Sequence, residues 1–525
     1  MPASTVYGRS ATSSGPGQAI PFSSLLGYLL SYGVNVLYAA NFPGPTAGDQ
    51  ISECVAALPS TGGVCDARGL PSGGTIPTFT INKSGVQILG PCGQFQVTGS
   101  IIIRGVGGVR WSGCATASYA GVTTAFIWYG NASDPMFRLQ GVRDSQIEDI
   151  YVSLFDPLAV AFQSETLTGF TASNNHYINI IVDGINGFID KVFRWCTGNA
   201  CGSIGGDANN DLNYLQNVNV ANYGTCAFSI EHSQSKTHTF ANSSMNRGQR
   251  GVCTTQGGAS GSFRWYGGGG GANTVADFDL GGADDLILIE SCNLESSNRL
   301  LQTSSGTSAW PITIEGCRWS ADALNADNNV VFYQQRGPLN IIGNTIESPV
   351  NVVGRAPQFT ISQGGVARGN AEGNSINWTA ATAASQPFIS SGSNAFWETR
   401  GNIITDLSSN QFAIPDITLS PAQQAPVLNV QTCSVGNAYA LVPTDITLII
   451  NDAAGSCTLT LPNASSFPGR SVTVKTVQAQ TVVSVASNVV PLAGGAAGTA
   501  ILANSAGKWA TMQSDGTNWN IMSGN

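Results

Sequence analysis

Charge is scarce in this chain. Only 10% of its 525 residues are Asp, Glu, Lys or Arg, against roughly 25% in an ordinary globular protein. The net charge is −9 and no basic cluster occurs. Nucleic acid and anionic membrane surfaces are therefore not expected partners, because both demand a positive patch. Histidine is scarcer still, and three in the whole chain leave little material for a His-based metal site or general base. No apolar run approaches the ~20 residues that span a bilayer, so no membrane insertion is expected. No Cys-x-x-Cys pair suggests zinc, and no cofactor is implied. The N-terminus, Met-Pro-Ala-Ser-Thr-Val-Tyr-Gly-Arg, has neither the basic n-region nor the apolar h-region of an export signal.

What fills the chain instead is small and turn-prone. Apolar content is ordinary at 42%, and 63 glycines accompany many Ser, Thr and Asn residues. That mixture suits short strands joined by tight turns, where Gly and Asn supply positive φ. One phrase recurs five times: Ile-Glu-Ser-Cys292-Asn-Leu, Ile-Glu-Gly-Cys317-Arg-Trp, Ile-Ile-Gly-Asn344-Thr-Ile, Ala-Arg-Gly-Asn370-Ala-Glu and Thr-Arg-Gly-Asn402-Ile-Ile. Its anchors are spaced by 25, 27, 26 and 32 residues. A period in the twenties, built from a short apolar strand and a small-residue turn, predicts a solenoid whose repeats stack to bury their apolar faces.

Earlier units such as Val86-Gln-Ile-Leu-Gly-Pro-Cys92 and Val109-Arg-Trp-Ser-Gly-Cys114 extend the pattern upstream. The stretch 196–211 and the Gly-rich run from Tyr266 to Gly271 read as excursions between coils. Asp49 to Leu58 is apolar at helical spacing and precedes a Gly-Gly turn and a strand, which suits a helix capping the open end of a β stack. After Asn402 the phrase fades. Prolines 415, 421 and 426 mark a linker, and sharp alternation from Ala438 onward predicts a separate antiparallel β module. The expected division is 1–40 for an N-terminal segment, 41–410 for the solenoid, 411–432 for the linker and 433–525 for the C-terminal module.

Twelve cysteines are many, and even in number. Their neighbouring pairs are Cys54/Cys65, Cys92/Cys114, Cys196/Cys201, Cys226/Cys253, Cys292/Cys317 and Cys433/Cys457, and four of these separations match one coil. Coils rise about 4.8 Å, within the Cα separation a disulfide accepts, so bridges between same-column cysteines are expected. Cys54 and Cys65 would staple the capping helix to the first coil.

Three segments carry a resemblance. Ala47 to Leu70 resembles the start of pectate-lyase-like right-handed parallel β-helices, and the Ile-x-Gly-Asn-x-Ile phrase resembles their Asn-ladder turn. The stretch from Leu459-Thr-Leu-Pro-Asn to Ser-Asp-Gly-Thr-Asn-Trp resembles modules that end bacteriophage tail fibres and tailspikes, as Gly8-Arg-Ser-Ala-Thr-Ser-Ser-Gly-Pro-Gly resembles a segment near their start. The resemblance implies an all-β fold, a right-handed parallel β-helix between a short capping helix and a C-terminal β module. It further implies a homotrimer on the virion, joined to other tail proteins through its N-terminus, contacting a bacterial surface glycan and exposed outside the cell after host lysis. Such a protein either depolymerises the glycan or only binds it; a secreted bacterial carbohydrate-active enzyme is the third reading.

Plant-type polygalacturonase motifs are missing, with no Asn-Thr-Asp, Gly-His-Gly or Arg-Ile-Lys. The double acid Asp284-Asp285 precedes a strand, where turn chemistry explains it. The repeated phrase gives a better candidate. Ile289, Ile314 and Ile341, three before their anchors, and Ile287, Ile312 and Leu339, two residues earlier, form two inward columns by strand alternation, so the position two before the anchor faces out and holds Glu290, Glu315, Ile342, Arg368 and Arg400. Glu290 and Glu315 would then sit on adjacent coils about 4.8 Å apart. That separation is close to the ~5–5.5 Å between the carboxyls of a retaining glycosidase. Arg318 nearby could instead neutralise them. Trp265 and Tyr266 beside the glycines are candidates for sugar stacking, with Arg368 as a further substrate contact. Glu231 with His232 and His238 is a second catalytic candidate. Trp319 shares a column with Leu294, Ile346 and Ile404 and is expected in the core.

Overall fold

Each coil of the chain lies in register on the one before it. The computed structural model describes residues 5–8, 18–21, 36–114, 124–185, 189–196, 209–232, 234–254, 261–281, 286–295, 297, 299–303, 311–320, 330–334, 338–348, 358–361, 367–378, 389–391, 395–405, 411–413, 417–419, 427–431, 438–441, 445–450 and 456–525. Within the first unit, a broad parallel sheet bends at the repeated turn, and a second sheet of 12 described strands supplies one strand per coil. The chain is thus an all-β parallel solenoid, as expected. Its first described coil strand, Val36–Tyr38, pairs in parallel with Gly63–Asp66, so stacking begins inside the expected N-terminal segment. Among the described residues no helix is long and apolar enough to cross a membrane.

The helix Ala47–Ala57 forms where its ends are satisfied. Thr46 and Asp49 make a reciprocal capping box. At the other end the Lys83 ammonium donates to the carbonyls of Val55, Ala56 and Leu58 at 3.0, 3.0 and 2.5 Å. The helix buries Ile51, Cys54 and Val55 against strands Thr75–Ile76 and Phe79–Ile81, and Cys54 is bonded to Cys65 as expected.

Inside the coils, equivalent positions repeat the same side chain. Phe137, Phe162, Phe193 and Phe228 face one another on successive strands, with ring centroids 5.1, 4.6 and 5.5 Å apart. Trp111, Trp128, Trp195 and Trp265 are fully buried beside them. Trp319 is buried too, in the column predicted for it.

At the turns the repetition is polar. The backbone N–H of Cys292 donates to Cys317 Sγ (3.3 Å), that of Cys317 to Asn344 Oδ1 (2.9 Å), that of Asn344 to Asn374 Oδ1 (3.0 Å) and that of Asn374 to Asn402 Oδ1 (3.0 Å). The fourth rung is therefore Asn374, not the predicted Asn370. The residue before each rung has positive φ at Ser291, Gly316, Gly343, Gly373 and Gly401. Ile376 then enters the column of Ile346 and Ile404. Anchoring at Asn370 would have driven Glu372 into that apolar column, a cost the fold avoids.

The glycine run is also not the excursion expected. Gly267 and Gly268 make the turn with positive φ, and Gly269–Gly271 is a strand of the broad sheet. A Cβ on Gly269 would sit 2.0 Å from the carbonyl oxygen of Asn293 on the next coil, so only glycine fits. Gly269→Ala should lower stability by about 1–3 kcal/mol in chemical denaturation, as overpacking does. In the other predicted excursion, residues 197–208 lie outside the described residues.

Disulfides join Cys54–Cys65, Cys92–Cys114, Cys226–Cys253 and Cys292–Cys317, with Cα separations of 5.9, 5.4, 6.3 and 4.5 Å. Of these four pairs, the last lies in one column of the stack, two residues past Glu290 and Glu315, whereas Cys226 stands opposite Arg250 rather than Cys253. Cys196 and Cys457 are also disulfide-bonded, while Cys201 and Cys433 lie outside the described residues.

One buried acid interrupts the apolar interior. Asp277 Oδ1 accepts from Ser297 Oγ (2.7 Å) and Asn273 Nδ2 (2.8 Å), and Oδ2 has no partner. Burial pushes its carboxyl up to about 7, against the smaller opposing effect of those hydrogen bonds. The neutral acid is the form the fold prefers. Its contribution to stability is complete below about pH 4 and lost as pH rises through about 7. Asp277→Asn should therefore flatten the decline in stability between about pH 4 and pH 7, read from urea melts across that range.

The second unit spans residues 391–400 and 415–525. Its module is not wholly antiparallel, as the sequence had suggested. Strands Val427–Gln431, Asp445–Ile450 and Ser471–Thr476 pair in parallel in one sheet, and Ala438–Ala440, Ser456–Thr460 and Thr481–Ser484 in another. Successive strands alternate between the two sheets, so the turns join sheets rather than neighbours. Later pairings reverse: Thr481–Ser484 pairs antiparallel with Ala500–Leu502, and Ser471–Thr476 with Trp509–Ser514, which forms a hairpin with Trp519–Gly524 around Asp515-Gly516. Strand Val427–Gln431 also shows that the module reaches into the expected linker. Its core holds Leu448, Val472, Val474, Met512 and Trp519.

Candidate functional site

The pairing register places Tyr266 opposite Glu290, Glu290 opposite Glu315, Glu315 opposite Ile342 and Ile342 opposite Glu372. Inward neighbours Ile287, Ile289, Ile312 and Ile314 are buried, and this alternation turns the intervening side chains outward. The two predicted carboxylates are therefore adjacent on the outer face, and Tyr266, half exposed, joins them as the sequence did not foresee. Trp265 does not. One residue earlier in the strand, it is fully buried against Phe240 at 5.3 Å and cannot offer a ring face to a sugar.

Arg368 also leaves the column. Gly369 pairs with Leu339, so Arg368 lies four residues before the position that Glu372 fills. The slip follows from anchoring the fourth repeat at Asn370; the side chain of Arg368 lies outside the described residues.

The cation that meets the carboxylates is Arg264, which the sequence reading missed. It lies two residues before Tyr266 and so shares its outward parity. Its guanidinium contacts Glu290 Oε2 at 2.7 and 2.8 Å through Nη2 and Nε and rests 5.8 Å over the Tyr266 ring. Arg318 stays away from the pair: it binds Glu347 at 2.5 Å and Asn293 Oδ1 at 3.3 Å. Glu315 is exposed and has no ion-pair partner among the described residues.

Beside Tyr266 the outer face drops to bare backbone at half-buried Gly269, and Gly271 of the same strand is buried. Ser244 and Asn246 bound this strip on one coil, and Asn293 and Glu295 on the next. Hydroxyl, amide, carboxylate and aromatic groups thus surround a side-chain-free floor. Such a surface can hold a polyhydroxylated ring by stacking and hydrogen bonds.

The second predicted candidate does not assemble. Glu231 is bound by Lys191 (2.6 Å), Arg194 (2.7 Å) and Ser229 Oγ (2.7 Å). Burial raises its carboxyl, but Arg194 and Lys191 prevail and hold it below the usual range. His232 is buried and its Nδ1 accepts from the Gln234 N–H at 2.8 Å. His238 is sealed in the interior against Trp195 (4.9 Å), where burial pulls its imidazole down to about 3. Ser235 Oγ donates to the Asn210 carbonyl at 2.8 Å and lies 2.7 Å from His238 Nε2. That arrangement makes His238 the donor to Ser235, the reverse of an activated serine.

Among the described residues, no group of three or more His, Cys, Asp or Glu is placed to hold a metal ion. Asp284 and Asp285 lie outside the described residues.

No protein-family model matches the chain, and no curated protein matches it. Among solved structures it is similar to the tailspike protein of the E. coli bacteriophage HK620, in a mutant form complexed with a pentasaccharide. That likeness has 11% identity and a TM-score of 0.34, and covers 92% of this chain and 85% of that one. A second mutant of the same tailspike, also with a pentasaccharide, gives 11% identity, a TM-score of 0.30 and the same coverage. ORF18 of Geobacillus virus E2 gives 10% identity and a TM-score of 0.24 over 99% of this chain and 82% of that one. At these TM-scores the likenesses assign no activity to this chain.

Proposed function

We propose that this chain is a phage tailspike or tail fibre that binds a bacterial surface polysaccharide and cleaves its glycosidic bonds. The observation that carries this reading is the juxtaposition of Tyr266, Glu290 and Glu315 on three consecutive coils beside a strip of bare glycine backbone. A stacking ring next to two carboxylates is the minimum a retaining glycoside hydrolase needs. In this reading the protein is a homotrimer. Its first 40 residues attach it to other tail proteins of the virion, its C-terminal module locks the trimer, and it acts outside the cell after host lysis.

The test is direct. Purified protein spotted on host lawns should give clearing haloes, and incubation with the isolated surface polysaccharide should release new reducing ends. Unsaturated non-reducing ends accompanying the new reducing ends would move the chemistry from hydrolysis to elimination. Binding without any released ends would leave the second reading, a fibre that only adheres. One observation favours that second reading: the Arg264–Glu290 ion pair relieves the like-charge coupling that sets an acid against a base in a carboxylate pair.

A further inference from the structure

An exposed ring stacked on a half-buried one marks a second place on the solenoid. Phe155 follows strand Gln146–Leu154, is 63% exposed, and is fixed by its N–H to the Trp128 carbonyl at 3.1 Å. Tyr129, on the preceding coil, stacks beneath it with ring centroids 4.7 Å apart and planes 21° from parallel. An exposed apolar ring left unpartnered keeps apolar surface in water, and here Phe155 does so with Tyr129 stacked against it. Ile185, 37% exposed, stands three residues past Val182 as Phe155 stands three past Val152, its register partner.

The described residues of the turn and of the Phe155 segment are polar and include no Lys or Arg; the nearest cation along the register, Lys191 opposite Val160, is bound to Glu231 at 2.6 Å. The turn Asn131 to Asp134 lies alongside, tied to the Phe155 segment by the Ala159 N–H on the Ala132 carbonyl at 2.9 Å. Asn131, Ser133 and Asp134 are exposed and Asp156 is half-buried. No Lys or Arg occurs between Arg110 and Arg138 or between Arg143 and Lys191. Rings flanked by amide, hydroxyl and carboxylate groups suit an uncharged pyranose, and the acidic setting disfavours an anionic one.

The corner is also continuous with the carboxylate site. Asp183, Ala221, Asn246, Gly271 and Glu295 occupy one register column on consecutive coils, partly or fully exposed except at buried Gly271. Four of these five side chains are short. The column leads along the axis for four coil steps, roughly 19 Å at about 4.8 Å each, from beside Ile185 to beside Asn293. An extended glycan can follow it.

We propose that Tyr129 and Phe155 form a distal contact for uncharged sugar rings of the polysaccharide whose scissile bond lies at Glu290 and Glu315. This rests on the function proposed above. The test uses the full chain on an array of purified bacterial surface polysaccharides, uncharged and acidic, with sedimentation velocity run on each variant. Wild type should be retained by an uncharged polysaccharide. Phe155→Ala and Tyr129→Ala should bind it about tenfold more weakly, the size expected from losing one aromatic contact. Phe155→Trp should retain binding, and all variants should sediment as wild type.

If no polysaccharide retains wild type, the proposed function fails and this inference with it. If wild type is retained but the alanine variants bind equally well, the distal contact alone is overturned. Retention only by acidic glycans overturns it too. So does a change of oligomeric state in the alanine variants, which would show that a second copy of the chain covers the rings.

Discussion

Glu315→Gln should reduce polysaccharide cleavage by about 10²–10⁴-fold, and Glu290→Gln by a comparable factor, the usual worth of a positioned acid or base. Both amides keep size and hydrogen-bonding shape, so glycan binding should change far less than turnover. The two roles are distinguishable. Glu290, held by Arg264, suits the carboxylate that attacks the anomeric carbon. Glu315, exposed and without an ion-pair partner among the described residues, suits the proton donor. Their backbones are one coil apart, about 4.8 Å, which accords with the ~5–5.5 Å of retaining rather than inverting enzymes. The first sugar released should therefore keep its anomeric configuration when followed by NMR. Undiminished sugar release from either glutamine variant would remove these carboxylates from the mechanism.

Asn374→Leu should destabilise the solenoid by about 2–6 kcal/mol, because two buried groups lose their partners at about 1–3 kcal/mol each. They are the backbone N–H of Asn344, which donates to Asn374 Oδ1, and the Ile341 carbonyl, which accepts from its Nδ2 at 2.9 Å. The rung below is affected as well, since Asn374 Nδ2 also donates to Asn402 Oδ1 at 2.7 Å. Asn370→Leu is the matched control. Asn370 pairs with Asn340 at an outward position of the strand and should cost less than about 1 kcal/mol, as surface changes do. Urea titration of the two variants compares the registers directly. Equal losses would contradict the rung assignment.

That contrast shows where the sequence was legible. A Gly-Asn pair occurs both at Gly369-Asn370 and at Gly373-Asn374, and local turn chemistry accepts either. The choice is made two residues later, where Ile376 can enter the core and Glu372 cannot, so side-chain parity carried the information that the turn motif lacked. Parity likewise separated Trp265 from Tyr266 and would have found Arg264. The stacked carboxylates were legible because they follow from a single coil period, and the staple between helix and first coil because a helix, a Gly-Gly turn and a strand follow one another in the sequence. The C-terminal module was not, because alternating strands with tight turns read the same whether a turn joins neighbours in one sheet or crosses between two.

The placement of the disulfides sets where a break in the stack would halt. Each coil is held only by its neighbours, through side-chain stacks, turn ladders and ion pairs such as Arg110–Glu148, Arg138–Glu165 and Arg250–Asp279 that bridge one coil to another. Fraying that starts at an end can advance coil by coil until it meets a covalent clamp. From the N-terminal side that clamp comes at once, at Cys54–Cys65. On the far side no cysteine lies between Cys317 and Cys433. The coils carrying Asn344, Asn374 and Asn402 therefore form an unclamped run that can open and reclose while Cys292–Cys317 holds the rest, including both carboxylates, in register.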